Sequence, residues 1–188
     1  MIEKKLYPTI TDQGGYFSAR QARDAGIPYS LLSHYVKSGK IERVRHGVYR
    51  LTYFPETPYA DFFIAWLSAG DKAVISHQSA LFLYGLTDLM PVEIDLTVPR
   101  TASRRLAGVR LHTARLDPEE ITRREGLPVT TLPRTLIDLV RSGTPVEWIE
   151  QAVHQALMRG LISRNRLYQI VEARGGKAAK VILPLLER

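Results

Sequence analysis

The sequence predicts an α+β protein, an N-terminal winged helix-turn-helix followed by a mixed α/β domain that ends in helices. Three observations carry this. Residues 18–51 read as a capped short helix, a glycine–proline turn, an amphipathic helix and a β-hairpin. Thr52 to Pro58 carries two prolines and breaks the periodic pattern, which places one domain at 1–52 and another at 59–188. Beyond it, β-type alternation gives way at residue 132 to helical periodicity.

In chain order, residues 3–11 are expected to form a first helix despite Pro8, which is either tolerated near its start or shortens it. Ser18-Ala19-Arg20-Gln21 is a capping box, since the Ser18 hydroxyl can accept from the backbone N–H three residues on while Gln21 reaches back. The helix it opens runs to Ala25, and Gly26 supplies the left-handed residue that ends it. Pro28 then presets φ for the first turn of a second helix over 28–38, stopped by Gly39. Leu31, Leu32, Tyr35 and Val36 fall on one face of that helix, toward the core, while Tyr29, Ser30, Ser33, His34 and Lys37 fall on the other. Residues 41–45 and 48–51 are β-prone and joined by His46-Gly47, a hairpin turn with positive φ expected at both.

In the second domain, helices are expected over 59–68 and 76–84, each followed by a glycine. Strands are expected over 92–98, 109–116, 121–123 and 128–131, the first with Ile94, Leu96 and Val98 inward and Asp95 and Thr97 outward. Helices over 132–141, 145–158, 164–173 and 177–186 complete the chain.

The charge balance is +7 over 188 residues, with 26 Lys or Arg against 19 Asp or Glu, and it favours an anionic partner. From residue 18 to 51, seven Lys or Arg face two acids. A helix fits the major groove of B-DNA, where base edges present a distinct donor and acceptor code, so Ser30, Ser33 and His34 are candidate base readers and Tyr29 and Lys37 candidate phosphate ligands. Ser18 and Arg20 at the helix start and Arg43, Arg45, His46 and Arg50 on the wing are candidate backbone contacts. A second basic face is expected from Arg100, Arg104, Arg105, Arg110 and Arg115, with no acid between Pro99 and Leu116.

No catalytic residue, metal site or cofactor is expected. The chain has no cysteine, which removes disulfides, thiolate metal sites and a cysteine nucleophile. Glu93, Asp95, Asp117, Glu119 and Glu120 read as solvated carboxylates, because no lysine follows the strand carboxylate as a metal nuclease would need. The histidines lack the helical spacing of metal ligands, and His77 reads as a packing or capping residue. No signal core or membrane-length apolar run is present, and a cytoplasmic location is expected.

Four stretches resemble the AbiEi-type antitoxin and transcriptional regulator family of type IV toxin–antitoxin systems: Gly-Tyr-Phe-Ser-Ala-Arg-Gln-Ala at 15–22, the wing at 39–51, Ile-Ser-His-Gln-Ser-Ala-Leu at 75–81, and Thr-Leu-Pro-Arg-Thr-Leu-Ile-Asp-Leu at 131–139. The resemblance implies a non-enzymatic, autoregulating antitoxin whose winged helix binds inverted repeats in its own promoter. It also implies a C-terminal domain that opposes a nucleotidyltransferase-like toxin. The partners expected are therefore double-stranded DNA and a cognate toxin, without a membrane, with the protein a monomer or dimer that binds DNA cooperatively. The alternative is a protein-interaction module that inhibits such a toxin without specific DNA binding of its own.

Overall fold

The computed structural model describes residues 2–99 and 105–187. The chain is mixed α+β, with two sheets and two apolar clusters. Helix α1 (Ile2–Asp12) carries Pro8 inside it and leads into β1 (Tyr16–Ser18), α2 (Ala19–Asp24), α3 (Tyr29–Lys37), β2 (Ile41–Arg45) and β3 (Val48–Leu51). The three strands make an antiparallel sheet in the order β1-β3-β2. Leu6, Ile10, Phe17, Ala22, Ile27, Leu32, Ile41, Tyr49 and Leu51 form the smaller cluster, which fixes α1, α2 and α3 against that sheet.

Helix α4 (Ala60–Ala69), β4 (Val74–Ile75), α5 (His77–Leu83), β5 (Ile94–Val98) and β6 (Val109–Thr113) follow. A 3₁₀ turn (Pro118–Glu120) precedes β7 (Ile121–Arg124) and β8 (Leu127–Thr130), and then come α6 (Leu132–Arg141), α7 (Val146–Met158), α8 (Arg164–Arg174) and α9 (Gly176–Leu186). The second sheet is mixed, in the order β6-β5-β4-β8-β7, with β5 parallel to β6 and β4 parallel to β8. Helix α6 is buried from Leu132 through Val140, so it is the central post around which α5, α7, α8 and α9 pack. An element buried on every side can keep polar residues only if they are paired. Arg134 and Asp138 satisfy this as an i,i+4 pair at 2.8 Å, with Glu120 closing on Arg134 at 2.6 Å and Arg174 on Glu120 at 2.7 Å.

Helix α4 and the β7–β8 turn join the N-terminal elements to the rest of the chain. Tyr16 of β1 stacks on Phe63 of α4 with ring centroids 5.8 Å apart and planes 6° from parallel. Gly126, at φ +79° in the β7–β8 turn, lies so near the Asp12 carbonyl that a β-carbon there would collide with it. Among the described residues no helix is long and apolar enough to cross a membrane.

Several sequence expectations change. Strands β1 and β4 are three and two residues long, too short for periodicity to register, and neither was expected. In β5 all five residues are buried, so Asp95 and Thr97 do not face water. The sheet is covered on both faces there, which removes the solvated side that alternation implies. Pro28 is the N-cap of α3 in extended conformation and not a first-turn residue. Val36, expected inward, is 36% exposed at the edge of the apolar arc. In the hairpin only Gly47 has positive φ (+74°), and His46 does not. The register slips by one residue between Arg43 and Arg45, and that bulge lets the turn close with a single left-handed position, which glycine fills.

Candidate nucleic-acid interface

The site is built from the capping box outward. The Ser18 hydroxyl accepts from the Gln21 N–H at 3.1 Å, and the Gln21 side chain accepts from the Ser18 N–H at 2.9 Å. Gln21 also exchanges hydrogen bonds with buried Gln13 at 2.7 and 3.2 Å, which locks the start of α2 to the end of α1. Gly26 at φ +73° turns the chain, and the Ile27 N–H donates back to the Ala22 carbonyl at 2.8 Å. Helix α3 therefore leaves at a defined angle, anchored by fully buried Leu32.

At about 100° per residue, Tyr29, Ser33, Lys37, Ser30 and His34 occupy one arc of α3 opposite Leu31, Leu32 and Tyr35. Tyr29 is 65% exposed, Ser30, His34 and Lys37 are exposed, and Ser33 is half-buried. Among the described residues no hydrogen bond or ion pair engages the side chains of Tyr29, Ser30, Ser33 or Lys37. His34 makes only a tilted ring contact with Tyr35, centroids 5.9 Å apart. A polar face that folding leaves unpartnered is free to recognise something outside the chain.

The hairpin cations divide. Arg43 and His46 are exposed and touch each other, Arg43 Nη2 to His46 Nδ1 at 2.5 Å. Because a guanidinium only donates, Nδ1 accepts and Nε2 is left as the ring's donor. Arg50, expected on the wing's outer face, is buried beneath it. It pairs with Glu42 directly across the hairpin at 3.1 Å, donates to the Phe54 carbonyl at 2.7 Å and lies over the Tyr16 ring. Tyr49 on the same strand is buried against Phe17, as packing residues are.

Other predicted contacts are already engaged within the chain. The Ser18 hydroxyl is the cap described above. Arg20 pairs with Asp71 at 3.1 Å and approaches Asp24 at 3.8 Å. Arg45 donates to the Ala107 carbonyl at 2.8 Å. Of the second basic face, Arg105 and Arg115 are exposed, Arg110 is bound to Glu93 at 2.8 Å, and Arg100 and Arg104 lie outside the described residues.

A second polar constellation escaped the sequence reading. His77 and His112 stack with centroids 3.6 Å apart, and His112 Nε2 donates to Asp95 at 2.8 Å. His77 Nδ1 meets Ser76 Oγ at 3.0 Å, Thr97 donates to the same hydroxyl at 2.9 Å, and the Asp95 N–H donates to Ser79 at 2.8 Å. Burial, and then the neighbouring His112, push the His77 imidazole down to about 4. His77 also has φ +50°, uncommon outside glycine. The usable signals were the Ser-His pair opening a helix and the two polar residues sharing one side of β5. Pairing by tertiary contact, across about 35 residues of chain, has no local spacing to reveal it. Among the described residues no three His, Asp or Glu are grouped to hold a metal ion.

Comparison with known proteins adds to this geometry. Residues 5–52 match the AbiEi antitoxin transcriptional regulators. The AbiEi family model is described as a transcriptional regulator, AbiEi antitoxin, and its span runs from within α1 to just past β3. That span includes every uncommitted side chain of the α3 face and the exposed hairpin residues Arg43 and His46. No curated protein matches the chain. The crystal structure of the RV2827C protein from Mycobacterium tuberculosis resembles it in fold, with a TM-score of 0.56 at 15% identity, over 99% of this chain and 76% of that one.

Proposed function

We propose that residues 1–52 are a winged helix-turn-helix domain that reads double-stranded DNA, joined to a separate mixed α/β domain at 59–188. On this reading the protein is a sequence-specific, non-enzymatic transcriptional regulator that autoregulates as a type IV antitoxin. The observation that carries it is the exposed, unpartnered polar face of α3 beside a basic hairpin.

Ser30, Ser33 and His34 supply donors and acceptors to base edges in the major groove, and Tyr29 and Lys37 hold the flanking phosphates. Arg43, with His46 against it, meets the neighbouring backbone from the hairpin. Arg50 shapes the wing from beneath, and Arg20 has two carboxylates near it that offset its charge. Two copies on inverted repeats place the two α3 helices in successive major grooves. The AbiEi match supports the regulatory role and brings a toxin as protein partner for the antitoxin role.

The test is a titration of a labelled duplex from upstream of the protein's own gene at two salt concentrations, with wild type and Lys37→Ala/Arg43→Ala. Wild type is expected to bind with affinity falling steeply in salt, with a log–log slope near −0.9 per phosphate neutralised. The double variant is expected to bind at least about tenfold more weakly and to lose about two phosphates' worth of slope. Equal affinity for the two proteins, or binding indifferent to salt, contradicts the reading.

A further inference from the structure

The hairpin is fastened to the second domain. Arg45 at the hairpin's end donates to the Ala107 carbonyl in the loop between β5 and β6 at 2.8 Å. Val44 beside it and Leu106 beside Ala107 both pack against the larger apolar cluster, so the contact has a buried footing as well as a hydrogen bond. At the other flank, Arg20 of α2 bridges to Asp71 beyond α4 at 3.1 Å. The end of the hairpin and residues 106–107, just before β6, therefore lie side by side.

Arg105 stands two residues from Ala107, at most about 7 Å along the chain. It is exposed, and among the described residues no carboxylate pairs with it. Its surroundings differ from those of Arg110 and Arg115. Arg110 is neutralised by Glu93, while Arg115 follows the far end of β6, separated from Ala107 by the whole length of that strand. Exposed Arg43 and His46 lie on the hairpin that Arg45 holds against this loop.

We infer that Arg105 extends the DNA-contacting surface from the hairpin onto the second domain, where it neutralises a duplex phosphate that the winged helix-turn-helix alone does not reach. Arg45 is the positioning residue that holds the hairpin in line with it. This rests on the DNA reading proposed above. The chemistry is that of an exposed guanidinium donating to a phosphodiester oxygen, indifferent to base sequence.

The experiment measures the salt dependence of binding to a labelled mixed-sequence duplex of about three helical turns for wild type, Arg105→Ala and Arg115→Ala. Arg105→Ala is expected to lower the magnitude of the log–log slope by about 0.9, and Arg115→Ala to leave it unchanged. In a parallel measurement, Arg45→Ala is expected to raise amide hydrogen exchange across the hairpin while Arg105→Ala does not, which separates positioning from contact. An Arg105→Ala slope equal to wild type, or a fall matched by Arg115→Ala, overturns the inference and leaves the DNA reading standing. A wild type with no salt-dependent binding to any duplex overturns both.

Discussion

The α3 face and the β5 cluster are both groups of Ser, His and other polar side chains, yet the fold treats them oppositely. On α3 Tyr29, Ser30, His34 and Lys37 are exposed and Ser33 is half-buried, and among the described residues none of these side chains makes a hydrogen bond or ion pair. Around β5, Ser76, His77, Ser79, Asp95 and Thr97 are buried, and each is hydrogen-bonded within the cluster. Buried polar groups must be satisfied internally or destabilise the fold, whereas exposed unpaired ones contribute little to it. The difference assigns the second cluster to architecture and leaves the first available for recognition.

If that division holds, substitutions should split by region. The largest effect belongs to the buried ionic network on α6. Asp138→Ala strips buried Arg134 of the carboxylate whose two oxygens share its Nε–H and leaves Glu120 as its remaining acid, which should cost about 3–5 kcal/mol in denaturant unfolding. A loss below about 1 kcal/mol would place the network outside the core's essential pairings.

Next is the pH response of the β5 cluster. Folding lowers the His77 imidazole from about 6.5 to about 4, so between those values the unfolded chain binds a proton that the folded chain refuses. The stability is complete above about pH 6.5 and is lost as pH falls toward 4, by on the order of 3 kcal/mol for this group. His77→Asn tolerates the left-handed φ and does not titrate, so it should flatten that part of the stability profile. An unchanged profile would mean other groups carry the acid response. The facing groups His112, Asp138, Asp95 and Arg134 are the ones to examine.

The smallest stability effect is expected on α3. Ser30→Ala, Ser33→Ala and His34→Ala combined should change unfolding free energy by no more than about 0.5 kcal/mol per site. A larger loss would show that these side chains serve the fold and would erase the contrast between the two regions.

How much of this was legible in the sequence follows from the range of each signal. The capping box at Ser18, the glycine stop at Gly26 and the arc of α3 are local patterns, and each was readable within one turn of helix. Strands β5 to β8 were readable as runs, but their pairing order and the burial of Asp95 and Thr97 depend on what covers the sheet. The roles of Arg45 and Arg50 were hidden for a related reason. Both are basic residues on a β-hairpin, and only the folded partners, Ala107 from far along the chain for Arg45 and Glu42 and Phe54 nearby for Arg50, turn them from candidate phosphate ligands into internal donors. The same holds for His77 and His112, which meet across the sheet without any periodic spacing.

On the proposed function, α3 reads base sequence with residues the fold does not need. Its most direct test compares wild type with the combined Ser30→Ala, Ser33→Ala and His34→Ala variant for binding to the upstream duplex against a scrambled duplex of equal length. Wild type should prefer the upstream sequence, and the variant should lose that preference while keeping its salt-dependent affinity for both, because its cations are intact. A variant that retains the wild-type preference would contradict the claim.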